Sequence, residues 1–246
     1  MNPYALPSIV AVVPFLFLSA VALLYNRERR SNRLLSLLCL SYAAFVGAAG
    51  LFHLSETPEA ARFWNRWPYL LLFPGFLLNV QYIVEVCGTK ANQWEKFLGL
   101  PIRYHLFVVY AMIPFFWVIV LATDHLIAPP LYHHRTGWEH GYGSLFLPFN
   151  AACYYLLALL ISIIRKGIRR AEDSIQRMIR VITLYSIGGG LVAAFILGMI
   201  LPMLNHQTHS FSTLAFLFMC LGLTYGLSRE QWETIQLLNV NLEKKI

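Results

Sequence analysis

Apolar residues run along this chain in seven long stretches, roughly Ser8–Asn26, Leu34–Leu54, Trp67–Cys87, His105–Ile127, Ser144–Ile164, Arg180–Leu201 and Phe211–Leu227, and most polar residues gather in the gaps between them. Each stretch approaches the ~20 apolar residues that a helix rising ~1.5 Å per residue needs to cross a hydrocarbon core of ~30 Å. The pattern predicts an all-α integral membrane protein, a seven-transmembrane helix bundle with its termini on opposite sides. A further helix is expected after the seventh span. Ile235, Leu238, Leu242 and Ile246 recur there at spacings of three, four and four, which places them on one helical face.

Charge orients the bundle. Of the nineteen Lys and Arg, sixteen fall in gaps one, three and five and in the tail after the seventh span, and only Arg62, Arg66 and Arg135 fall in the other gaps. Short loops rich in Lys and Arg mark the cytoplasmic side, so the N-terminus is expected outside and the C-terminus inside. Residues 1–227 then read as the membrane domain and residues 228–246 as a cytoplasmic helix. The net charge of +7 lies beside the membrane, where it meets anionic headgroups, and nucleic acid is not an expected partner.

A mean hydropathy of +0.57 with 13% charged residues is too apolar for a soluble domain and agrees with a protein embedded in a lipid bilayer. Met1–Pro7 has no basic n-region, so the first stretch reads as a span and not as a cleaved signal. Cys39, Cys87, Cys153 and Cys220 fall in or at the ends of spans without a CxxC spacing, and are expected to be buried small hydrophobes.

The gaps carry their own signals. Thr57-Pro58-Glu59 starts a short helix through Trp64, either a self-capping connector or a ligand lid. Ala128–Gly143, with Pro129, Pro130, Gly137, Gly141 and Gly143, favours turns over a continuing helix and is expected to cap the outer face. His53, His125, His133, His134, His140, His206 and His209 map to outer loops or span ends. They lack a recognised ligand spacing and read as ordinary loop histidines, or as an external metal or pH response. No metal site or cofactor is expected.

Inside the spans, Asn79, Gln81, Tyr82 and Glu85 make the third the most polar, and unpartnered polar groups in hydrocarbon cost several kcal/mol, so they should face protein or water. Gln81 and Glu85, one turn apart, are placed to hydrogen-bond; Glu85 reads as an interfacial or paired carboxylate, or as a switch element. Pro74 deletes one helix hydrogen bond and should produce a packing kink or a hinge. In the sixth span Gly188–Gly190, Ala194 and Gly198 form a small-residue seam, suited to intramolecular packing, a dimer interface or a cavity wall. Thr183 and Ser186 should bond carbonyls of the preceding turn. A small apolar or amphipathic ligand is expected between the Pro74–Tyr82 stretch and the Gly188–Gly198 seam, with Pro74, Asn79, Tyr82, Ser186 and Gly190 as its contact residues.

Three stretches carry a family likeness: Asn32-Arg33-Leu34-Leu35-Ser36-Leu37-Leu38-Cys39-Leu40; Glu59-Ala60-Ala61-Arg62-Phe63-Trp64 followed by Leu72-Phe73-Pro74-Gly75-Phe76-Leu77-Leu78; and Leu238-Asn239-Val240-Asn241-Leu242-Glu243-Lys244-Lys245-Ile246. In this order the chain resembles the N-terminal seven-transmembrane sensor region of bacterial histidine kinases and related signalling proteins. The resemblance implies a multi-pass receptor in the bacterial inner membrane. It further implies that the seventh span passes a conformational change to a signalling helix. The apolar spacing of Ile235, Leu238, Leu242 and Ile246 itself predicts that this helix pairs with a second copy as a parallel homodimer. An output domain is expected beyond Ile246. The sequence itself shows no phosphoacceptor histidine box, nucleotide-binding glycine box or GGDEF motif, so it is expected not to be an enzyme. A small transporter or channel is the alternative, weakened because no pair of corresponding broken helices is evident. The seventh span has no Lys to carry a retinal Schiff base, and no GxSxG or HExxH occurs.

Overall fold

The computed structural model describes residues 5–87, 96–133, 137–201 and 209–243. Helix α1 (Leu6–Tyr25) carries Pro7 in its first turn, where the missing N–H has no intrahelical acceptor to lose. It stops at Asn26, whose Oδ1 accepts the backbone N–H groups of Glu28 and Arg29 at 3.1 Å each, a turn that reverses the chain into α2 (Arg30–Leu54). A buried hydrogen bond of 2.7 Å between the Ser19 and Ser36 hydroxyls ties the two helices.

Helix α3 (Pro58–Val86) begins as the sequence predicts, with Thr57 Oγ1 accepting from Ala60 N–H, but it does not stop at Trp64. The turn after α2 and the third span are one helix of 29 residues, ~43 Å long and therefore longer than the hydrocarbon core. An ion-pair cluster steadies its first turns: Asp124, just past α4 (Ile102–Ala122), meets Arg62 at 2.6 Å and Arg66 at 3.1 Å. The Arg62 hydrogen bond, with Arg66 contributing, holds the Asp124 carboxyl below the usual carboxylate range.

Pro74 sits inside α3 without ending it, and the freed carbonyl has a donor from elsewhere. A proline removes the N–H that would bond the carbonyl four residues back, here Leu70, and the Trp117 indole of α4 donates to that oxygen at 2.8 Å. Trp117→Phe should therefore destabilise the bundle by about 1–3 kcal/mol, because an orphaned carbonyl has no water to turn to. Adding Pro74→Ala returns a backbone donor, so the double variant should unfold at higher denaturant than Trp117→Phe alone. Equal midpoints would show that the indole does not replace the lost bond.

Two short antiparallel pairings interrupt the helices. Strands β1 (Lys96–Phe97) and β2 (Leu100–Pro101) flank a turn with Leu98 and Gly99 at positive φ. The expected turn-rich outer loop is instead a hairpin of β3 (Ile127–His133) and β4 (Gly137–Tyr142), with Ile127 opposite Tyr142 and His133 opposite Gly137. Its register shifts between Ala128 and Leu131, where Pro129 and Pro130 supply no N–H to the ladder. The strands approach so closely that a Cβ at Gly141 would lie 2.5 Å from the Pro129 carbonyl oxygen. Trp138 of β4 packs on Phe52 and Ala61 and donates its indole N–H to Ser55 O at 2.8 Å, which lays the hairpin over the ends of α2 and α3.

Helix α5 (Phe146–Arg169) leads to a sixth span that starts at Ser174, earlier than the apolar pattern suggests, because Asp173 caps it by accepting Gln176 N–H at 2.6 Å. This span is α6 (Ser174–Thr183), a π-helical stretch (Leu184–Gly189), α7 (Gly190–Phe195) and a second π-helical stretch (Ile196–Ile200). Helix α8 (His209–Glu243) holds the shorter apolar stretch Ala215–Arg229 and continues to the C-terminal side as one helix. Six helices among the described residues are long and apolar enough to cross a membrane, and with α8 they form the expected seven-span all-α bundle. The core is aromatic at its centre: Phe73 stacks on Phe116 at 4.7 Å, with Phe149 edge-on to both. All four cysteines are free and buried, as their positions in the spans predict.

Candidate functional site

The α6–α7 and α8 helices touch along a seam of small residues. A Cβ on Gly190 would lie 2.8 Å from Met219 Cβ and 3.3 Å from Ala215 O; one on Gly222 would lie 2.1 Å from Ser186 Oγ; one on Gly198 would lie 3.2 Å from Ser212 Cβ. At Gly190 and Gly222 glycine is required by space, and at Gly198 the fit is tight. Ser186 and Thr183 donate to the carbonyls of Ile182 and Ile179 at 2.7 and 2.9 Å, the bonding to the preceding turn read from sequence. Ser186 and Gly190 are thus packing residues of this contact, and neither lines the cavity under the hairpin described next.

That cavity, of about 90 Å3, opens between α1, α2, α3, α7 and α8 under strand β4. Its volume holds several waters or a small organic group. One end is polar, with His53, Tyr69 and His140; the other is apolar, with Phe45, Leu72, Leu191 and Phe216. The polar end is rigidly built. His140 stacks on Phe52 at 4.5 Å, its Nδ1 bonds Asn65 Oδ1, and the His53 ring lies edge-on to it at 6.4 Å. Asn65 is buried with its Nδ2 unpartnered among the described residues. Asn65 stands behind His140 and not on the lining itself; the groups that face the cavity, His53, Tyr69 and His140, can donate to a ligand that brings an acceptor.

Further along α3, Asn79 donates to Tyr42 Oη at 2.5 Å and to Gly75 O at 2.9 Å, and its Oδ1 has no partner among the described residues. It borders a pocket of about 10 Å3, roughly one water, that shares Phe45, Leu72, Leu191 and Phe216 with the larger cavity. Tyr82 lies elsewhere, in a cavity at the opposite end of the bundle beside Glu85. Gln81 and Glu85 do not take each other as expected: Gln81 Nε2 donates to Tyr110 Oη at 3.0 Å, and Glu85 faces Arg30 at 3.7 Å. The five ligand residues expected from sequence are therefore dispersed; of them only Asn79 borders a pocket that shares wall residues with the cavity under the hairpin. The sequence groups His53 and His140 only with the other loop histidines and gives no signal for Asn65 or Tyr69, and Asn65 and His140 are 75 positions apart with no spacing to join them.

Of the signalling residues, Ile235, Leu238 and Leu242 lie on the helical backbone of α8, and Ile246 lies outside the described residues. His134 and His206 also lie outside them. Among the described residues no group of three His, Cys, Asp or Glu side chains is gathered as a metal site.

The family described as the N-terminal 7TM region of histidine kinase matches residues 7–235. The chain belongs to this family. No curated protein and no solved structure matches it. The 7TM region of a histidine kinase is a membrane sensor domain and is not itself catalytic.

Proposed function

We propose that this 7TM region receives a small amphipathic ligand, one apolar ring with an acceptor group, in the cavity between Phe216 and His140, and passes its occupancy to a cytoplasmic output domain through α8. The observation that carries the reading is that one cavity is walled both by His53 and His140 and by Leu191, Ala194 and Gly198 of the sixth span, a segment that meets α8 at Gly190 and Gly198. Only a ligand that prefers one arrangement of that contact shifts the equilibrium. The N-terminus is outside, the C-terminus is cytoplasmic, the membrane is a bacterial inner membrane, and residues 228–246 form the transmitting helix.

A fluorophore on Trp232→Cys in proteoliposomes tests this, since Trp232 is exposed and the native cysteines are buried. Benzoate and indole-3-acetate, each a ring with an acceptor, should change its emission saturably, and Ala49→Trp, which fills the cavity, should abolish the change. Saturable uptake of either probe without an emission change would indicate a transporter, and a response unaltered by Ala49→Trp would move the site.

The tail works as a parallel dimer through the face of Ile235, Leu238, Leu242 and Ile246. Two heptads alone pair weakly, but anchoring both copies in one membrane raises their effective concentration. Disulfide scanning over 234–245 in the full-length protein should peak near 235, 238 and 242. A flat profile would leave the segment as a helix on the membrane surface.

A further inference from the structure

At the opposite end of the bundle from the His–Asn cluster, Arg180 is 7% exposed. Its Nη1 donates to Gly167 O at 2.6 Å and its Nη2 to Gln176 Oε1 at 3.1 Å, both neutral acceptors. Its Nε–H is buried with no acceptor, and no carboxylate pairs with it, among the described residues. A guanidinium taken out of water without a counter-charge costs several kcal/mol, so its retention here points to an anion that completes the site.

Arg180 lines a cavity of about 380 Å3 together with Arg29, Gln176 and Glu85 on its polar side and Leu35 and Leu227 on its apolar side. Glu85, the one carboxylate on that lining, faces Arg30 at 3.7 Å. The two arginines on this lining come from different elements, Arg180 from α6 and Arg29 from the turn before α2. Planar guanidinium forks match the oxygens of a phosphate group, and the apolar side suits a chain attached to it. The cavity lies at the end of the bundle that carries the Lys and Arg excess, where headgroups gather.

We infer that this cavity binds a phosphate-type oxyanion between Arg180 and Arg29. The anion joins α2 and α6 to α8, whose Leu223 and Leu227 form part of the wall, so occupancy fixes the base of the emerging helix. The site is independent of the cavity under the hairpin and of whatever binds there.

The test uses the full chain in dodecyl maltoside. Palmitoyl-oleoyl-phosphatidylglycerol, the zwitterionic phosphatidylcholine of the same chains, and inorganic phosphate are titrated by native mass spectrometry and by the unfolding midpoint. Binding of phosphatidylglycerol or of phosphate, with a raised midpoint, is expected, and Arg180→Gln should weaken it about tenfold, with Arg180→Lys between the two because a point charge lacks the fork. Phosphatidylglycerol binding that millimolar phosphate does not displace assigns the site to a lipid headgroup; displacement by phosphate assigns it to a soluble oxyanion. If Arg180→Gln does not fold, exposed Arg29→Gln should still weaken binding several-fold. Unchanged affinity in the folded variants, equal binding of phosphatidylcholine, or no binding of phosphatidylglycerol and phosphate overturns the inference.

Discussion

Gly190→Leu is expected to lower the stability of the bundle by about 3 kcal/mol or more, whereas Gly189→Leu, one residue away, should stay within about 0.5 kcal/mol of the native protein. The difference is geometric. A Cβ at Gly190 meets Met219 Cβ at 2.8 Å with the Ala215 carbonyl at 3.3 Å behind it, so α7 and α8 must separate; a Cβ at Gly189 meets nothing within 4 Å. Neither helix can yield locally, because Ser186 and Gly222 make the next contact one turn away, where even alanine at Gly222 would place its Cβ 2.1 Å from Ser186 Oγ. Unfolding by sodium dodecyl sulfate titration, followed by tryptophan fluorescence, measures both variants. Similar midpoints for the two would mean that the seam is loosely packed, and would remove the proposed route from the cavity under the hairpin to α8.

The largest qualitative effect is expected from side-selective labelling. Leu131 is 61% exposed on the hairpin, and Arg169 is exposed in the last turn of α5, among the basic residues. Cysteines at these two positions should react with an impermeant thiol reagent in opposite preparations: Leu131→Cys in intact cells, Arg169→Cys only after the membrane is opened. The native cysteines are buried and contribute little background. The physical cause is the sixteen-to-three partition of Lys and Arg between the two sets of gaps, which favours retention of the basic side in the cytoplasm. Labelling of Arg169→Cys in intact cells would invert the topology and place the His–Asn cluster on the cytoplasmic side.

The turn after α2 shows where reading along the chain stops short. Thr57, Pro58 and Glu59 mark the start of a helix correctly, but nothing nearby marks its end, because it has none until Val86. Arg62 and Arg66 find their counter-charge on Asp124, about sixty positions away, and Trp117 supplies the donor that lets α3 run on through Pro74. Proline and glycine in Ala128–Gly143 are breakers for a helix, and they also suit a tight hairpin whose strands approach within contact of a backbone carbonyl. The same residues therefore indicate a turn-rich loop until Trp138 is seen packing on Phe52.

What the sequence determined by itself was the class, the seven spans, the charge partition and the helical start at Thr57, along with buried cysteines and the back-bonding of Thr183 and Ser186. These rest on interactions with solvent or bilayer, or with residues a turn away, which composition and spacing record directly. What only the tertiary structure decided was which small residues pack and which line a space: Gly190 is held by Met219, while Gly198 meets Ser212 and also lines the cavity under the hairpin. It also decided that Gln81 meets Tyr110, that His140 meets Asn65 and Phe52, and that Arg180 faces neutral oxygens. The reason is that these pairings join helices far apart in the chain, and an apolar span has the same hydrophobic free energy in the bilayer whichever neighbour it turns to face.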